Sequence, residues 1–222
     1  MKTFLPVLFL STFNCYALEP LKTAVVEESG AATELSPAPL FKELIHNAEM
    51  VAVAQLNHTR YEYLRGFPNK GVAWMRPLMT YKGNRELEQF TVYDEGIKGE
   101  RCYFPDTDLW QEGNRFLVFL KHEEFIRYRG LTPVCYLPVS VSSDNQYVLR
   151  LPIDNVQMPA ELLALAQNYH FTDSGSRIDS SELFSEEKAR MIRERKMKDE
   201  GESLVYTRGI PISAVRAYIK KP

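Results

Sequence analysis

The rhythm of apolar residues changes several times along this chain. Phe4 to Leu10 is an unbroken apolar run, too short to span a bilayer. Leu40, Phe41, Leu44, Ile45 and Ala48 recur at helical spacing. Ser36-Pro37 ahead of them reads as a helix start: serine caps free backbone N–H groups, and proline at the first helical position has no N–H to leave unpaired. Met50-Val51-Ala52-Val53-Ala54 is continuously apolar, as in a strand covered on both faces. Short strand-like runs follow. Tyr61 and Tyr63 alternate with charged residues, and further runs occupy 71–81, 87–93, 115–120, 134–141 and 147–151. Pro77 marks an edge or a bulge, and Lys82-Gly83-Asn84 and Ser142-Ser143-Asp144-Asn145 carry turn chemistry. Beyond Pro152 the spacing becomes helical again. A short helix falls within 159–169, and Ser185 caps a charged helix running to about Glu200, with Gly201 as its stop. Leu204-Val205-Tyr206 is strand-like, and 210–219 ends in a last short helix.

This pattern predicts a β-rich α+β protein. Residues 1–17 form a signal peptide, 18–36 a flexible leader, 37–155 a barrel domain and 156–222 a mostly helical extension. The signal peptide rests on Lys2, the apolar run after it, and small residues at Cys15 and Ala17, the −3 and −1 positions of a cleavage site before Leu18. It places the mature chain outside the cytoplasm, periplasmic or secreted. The bulky Phe13 and polar Asn14 next to Cys15 do not make a lipobox.

Composition alters the picture little. The 222 residues are 45% hydrophobic and 25% charged, with a net charge of −2, so no concentrated basic surface points to nucleic acid as a partner. No second apolar run reaches membrane-spanning length. Cys102 and Cys135 are the two cysteines after the signal peptide. In an exported chain they are expected to pair as one disulfide, with two separate buried thiols as the alternative.

One ordered set of segments carries a resemblance. A helix leads into "AEMVAVAQL", a strand ends in "LMTYKGN", then come "FTVYDEG", "GERCYFP", "EGNRFLVFL" and Cys135. Over about residues 39–151 this order resembles the netrin-module and metalloproteinase-inhibitor group of OB-like barrels. There a first strand follows "A-D/E-x-V", a strand closes on "K-G", and one Cys precedes "F-x-x-G-x-x-Y-L-V-F" with a second beyond. The resemblance implies an OB-like antiparallel Greek-key barrel preceded by a helix. In the inhibitors of that group the mature N-terminal cysteine reaches a protease zinc. Here Leu18 is expected first, so the metal-directed chemistry does not carry over.

Candidate chemistry is sparse. His46, His58, His122 and His170 show no metal-binding spacing. Asp106, Asp108 and Glu112 cluster after Cys102 and offer oxygen donors, without the calcium-loop pattern of an EF-hand. No nucleophile elbow or glycine-rich phosphate loop is present, and no cofactor is expected. The densest aromatic–basic cluster is Arg60, Tyr61, Tyr63, Arg65 and Trp74, residue types favoured at binding hot spots. The preferred expectation is therefore a non-enzymatic exported module that uses this face to bind another exported protein or an envelope component. The alternative is a hydrolase or hydrolase inhibitor whose site combines Asp106, Asp108 and Glu112 with His122. The charged 186–200 helix has a thin apolar stripe and reads as a solvated helix laced with ion pairs, with a partner-docking helix as the alternative.

Overall fold

The computed structural model describes residues 38–95, 102–105, 114–182, 184–194 and 197–221. The expected signal peptide, leader and Ser36-Pro37 helix start lie outside these residues, as do Asp106, Asp108 and Glu112. Helix α1 is Phe41–Asn47, and the Glu43 carboxylate accepts a hydrogen bond from the Leu40 backbone N–H just ahead of it. It leads directly into β1, Met50–Leu64. β2 (Phe67–Lys82), β3 (Phe90–Glu95), β4 (Arg115–Glu124) and β5 (Arg127–Gly130) follow.

These five strands close into a barrel in the order β1-β2-β3-β5-β4, and β1 pairs back onto β4. Four seams are antiparallel, whereas β3 and β5 run parallel, so the barrel is mixed where an antiparallel one was expected. The cause is β5. It folds back on β4 through a tight turn and meets β3 in the same direction.

The main sheet continues past β4 through β6 (Tyr136–Val141), β7 (Tyr147–Leu151), β12 (Arg208–Pro211) and the two-residue β8 (Gln167–Asn168). β1 and β4 therefore belong to two cores at once. Met50, Ala52, Ala54, Phe116, Val118 and Leu120 face the barrel interior with Met75 and Phe90. Val51, Val53, Leu117 and Phe119 face the other way, against Phe41 of α1 and Ile212 and Val215 of α4 (Ile212–Ile219). This double burial explains why 50–54 and 116–120 are continuously apolar.

A disulfide joins Cys102 to Cys135, with an S–S length of 2.07 Å. Gly130 lies against it. A Cβ at that position would clash with the Cys102 Cβ and stand 2.6 Å from its sulfur.

The C-terminal region departs from the mostly helical expectation. Only α2 (Ala160–Leu163), α3 (Ser185–Arg193) and α4 are α-helical among its described residues. β9 (Arg177–Asp179), β10 (Met197–Asp199) and β11 (Ser203–Tyr206) form a separate antiparallel sheet in the order β10-β11-β9. The charged helix stops at Arg193 instead of continuing to Glu200, because Met197 is buried in β10 and pairs with Tyr206. Ser185 is its first helical residue, and Phe184 takes the cap position.

Candidate functional site

The β1–β2 hairpin divides the residues of the expected binding face. β1 is bonded to β4 only through Met50–Gln55, and its later residues pair with β2 alone. A register shift between Leu56 and His58 resets which side chains point inward. Beyond it, Thr59 pairs with buried Ala73, and Tyr61 packs on the barrel core. His58 pairs with Trp74, and their rings stack at 5.0 Å on the opposite face, which also carries Arg60. Tyr61 and Tyr63 thus share one face of the hairpin, Arg60 and Trp74 the other, and Arg65 sits at the tip. No single surface joins all five.

Tyr61 is anchored. Its hydroxyl accepts a 3.0 Å hydrogen bond from the Phe104 backbone N–H, and its ring meets Tyr103 edge-on at 5.1 Å. Phe104 is buried against Phe116 and Tyr136. The Asp94 carboxylate receives the Cys102 N–H at 2.6 Å. Residues 102–105 therefore strap the base of the hairpin to the barrel, with the disulfide fixing one end. Gly71, opposite Tyr61, leaves no space for a side chain because a Cβ there would strike the Arg60 carbonyl.

The tip is different. Arg65 and Gly66 both have positive φ, 52° and 84°, the signature of a tight turn matched to strand twist. Glycine adopts this at little cost, whereas arginine there costs about 1–2 kcal/mol. Around it Tyr63, Leu64 and Phe67 are exposed, Phe67 by 70%. Lys70 and Glu62 pair at 3.2 Å just below.

A second exposed turn joins β4 to β5. Phe125 is 83% exposed at φ 49°, an unusual backbone state for a bulky residue, and Ile126 is exposed beside it. This turn is stitched down: His122 Nε2 lies 3.0 Å from the Phe125 carbonyl, and Thr91 N–H donates to the Ile126 carbonyl at 2.9 Å. His122, the histidine of the hydrolase alternative, is thus occupied in holding a turn. Its ring also packs edge-on against Tyr128. Among the described residues no group of three His, Cys, Asp or Glu side chains converges as a metal site would require. No helix of the described residues is long and apolar enough to cross a membrane.

Sequence reasoning passed over a polar group on the far side of the main sheet. Arg150 of β7 shares a sheet face with Tyr136 and Ser140 of β6, following the register Val139↔Leu149. Its guanidinium lies 4.2 Å from the centre of the Tyr206 ring. Burial lowers the Arg150 pKa, opposed by the charges of Tyr206, Asp173 and Tyr136, and the residue stays protonated at any ordinary pH. Burial likewise raises the Tyr136 phenol, with Arg150 opposing. The only signal in the sequence is an arginine inside an otherwise apolar strand, Tyr147-Val148-Leu149-Arg150-Leu151.

No family model, curated protein or solved structure matches the chain.

Proposed function

We propose that this protein is an exported, non-enzymatic binding module whose OB-like barrel, of the netrin-module and metalloproteinase-inhibitor kind, presents the β1–β2 hairpin to another exported protein or an envelope component. The observation that carries this reading is the hairpin tip. Tyr63, Leu64 and Phe67 stand in solvent around an arginine held in a left-handed conformation. Exposed apolar side chains and local backbone strain both oppose stability, and both are common where a surface is kept for recognition. Five closed strands with β1 returning onto β4 fit an OB-like closure, and such barrels act through a face and its loops. A disulfide fits an oxidising compartment. The binding face of this reading is narrower than the sequence cluster: the tip, with Arg60 and Trp74 on the adjoining outer face, while Tyr61 serves the strap.

Site-specific photo-crosslinking in the native envelope or secretome tests it. A crosslinker at Phe67 is expected to give a discrete adduct that Leu64→Ser abolishes, and one at Phe125 is expected to give none. The reading fails if Phe67 yields no adduct, or if both positions yield the same one.

A further inference from the structure

Arg208 of β12 stands opposite Leu151 of β7 in the antiparallel register, so the two side chains share one sheet face. There the chain after β7 and helix α2 line a groove of about 260 Å³. Its floor is apolar: Val156 is buried, and Leu151, Met158 and Leu163 complete it. Leu162 fills the core beneath α2, which leaves Leu163 at the groove and 43% exposed. Two opposite charges, Asp154 and Arg208, line the same groove. Both are exposed, and among the described residues neither makes an ion pair or a side-chain hydrogen bond, with the other or with a third group. Glu194, at the end of α3, is also in the lining and already has an interaction of its own. An unpaired acid and an unpaired base around an apolar floor are complementary to a molecule that carries both charges and a hydrocarbon side chain. A simple anion or a simple cation satisfies one of the two and meets a like charge at the other. The groove is smaller than the roughly 300–1,000 Å³ that holds drug-sized ligands, so the molecule is small. A second groove of about 310 Å³, lined by Tyr136 and Pro138, shares Pro152, Ile153 and Asp154 with the first and gives room for one more residue.

We propose that this groove binds an apolar amino-acid zwitterion, free or as a short peptide. Its ammonium group meets the Asp154 carboxylate, its carboxylate meets the Arg208 guanidinium, and its hydrocarbon side chain covers Val156, Met158 and Leu163. The planar fork of arginine matches the two oxygens of a carboxylate. Glu194 makes the lining net negative, which favours the ammonium end of the ligand over its carboxylate end. The site is separate from the hairpin tip and does not depend on the binding reading given above.

The test is a ¹H–¹⁵N titration of the full chain with L-leucine and, in a parallel arm, leucyl-leucine. 3-Methylbutylamine, which lacks the carboxylate, and 4-methylpentanoate, which lacks the ammonium group, are the comparison arms at matched ionic strength. Saturable shifts are expected at the Asp154, Leu163 and Arg208 amides with at least one zwitterion, at a Kd of roughly 0.1–1 mM for so few atoms. Leucine alone responding marks a free amino acid as the ligand, and leucyl-leucine alone marks a peptide. The amine and the acid should each bind about tenfold more weakly or less well still, the acid weakest. Asp154→Asn and Arg208→Gln change exposed side chains, so the fold should hold, and each should weaken zwitterion binding about tenfold. Arg208→Gln should leave the amine's binding as it was, and Asp154→Asn should not. The proposal is overturned if neither zwitterion gives saturable shifts at these amides by roughly 10 mM. It is also overturned if the amine or the acid binds as tightly as the zwitterion, or if either substitution leaves zwitterion binding unchanged.

Discussion

The barrel buries Met75, Phe90, Val118 and Leu120 completely or nearly so, whereas the three strands of the C-terminal sheet bury Met197, Leu204 and Val205 and little else. The barrel is also closed on itself and crosslinked at Cys102–Cys135. The C-terminal sheet is edged by exposed ion pairs: Lys188 with Asp199 at 3.1 Å, Arg177 with Glu200 at 3.3 Å and Lys198 with Glu200 at 3.6 Å. Apolar burial and a covalent link resist salt and mild acid, while exposed ion pairs contribute little and are screened. The two regions should therefore differ in local stability, with the C-terminal sheet opening first.

The largest effect should come from emptying the barrel. Phe90 is fully buried and meets Tyr128 edge-on at 5.6 Å. Phe90→Ala should cost about 3–5 kcal/mol in denaturant unfolding. Removing the crosslink comes next: with its cysteines 33 positions apart, the Cys102→Ala/Cys135→Ala pair should cost about 3–4 kcal/mol on the chain-entropy account. Gly130→Ala should cost about 1–3 kcal/mol, because its methyl group must displace the disulfide. If any of these changes accelerates amide exchange in β9–β11 as much as in β1–β5, the two regions are one cooperative unit and the contrast is wrong.

The expectations that held rested on local pattern, and those that failed depended on pairing between distant segments. Runs 50–54 and 115–120 were readable because burial on two faces leaves no polar residue in the pattern. The turn at 142–145 was readable because its chemistry is local: Gln146 N–H donates to the Ser142 hydroxyl, and Asn145 takes a positive φ. The end of α3 was not. Charged residues 194–200 suit an exposed helix, and only the pairing of Met197 with Tyr206 turns the chain into β10. The division of the aromatic–basic cluster was half legible, because strand alternation alone sets Arg60 opposite Tyr61 and Tyr63. Which of the two faces turns to the barrel depends on a one-residue register shift near Leu56, which leaves no mark in composition. The parallel β3–β5 seam is a property of chain path, and no residue type announces it.

A smaller effect concerns the outer core. Burial pushes the Tyr81 phenol up to about 12, with the nearby Arg216 charge opposing. In the unfolded chain a tyrosine ionises near pH 10. Between those values the unfolded state has lost a proton that the folded state keeps, so stability is full below about pH 10 and falls as pH climbs toward 12. Tyr81→Phe should flatten this alkaline limb. An unchanged slope of unfolding midpoint against pH in that window would show that Tyr81 is freely solvated.

The smallest effect should be the most local. Asp199 is held below the usual carboxylate range, first by the Gly201 backbone N–H and then by Lys188. A depressed folded pKa means its contribution is present above the unfolded value, near 4, and is lost as pH falls through the folded one. Asp199→Ala, or acidification through that window, should leave global unfolding nearly unmoved while amide exchange quickens in β10 and β11. Lys188→Met should reproduce part of this at low salt, because it removes the 3.1 Å pair but leaves the Gly201 bond in place. At high salt the Lys188→Met difference should vanish, since the pair is then screened in the parent protein too. The Asp199→Ala difference should shrink but persist, because that change also removes the acceptor of the Gly201 backbone hydrogen bond, which salt does not screen. If both differences vanish together, long-range charge and not the turn at Gly201 holds the edge of this sheet. If neither does, the ion pair is not solvent-screened, and the contrast with the barrel loses its electrostatic half.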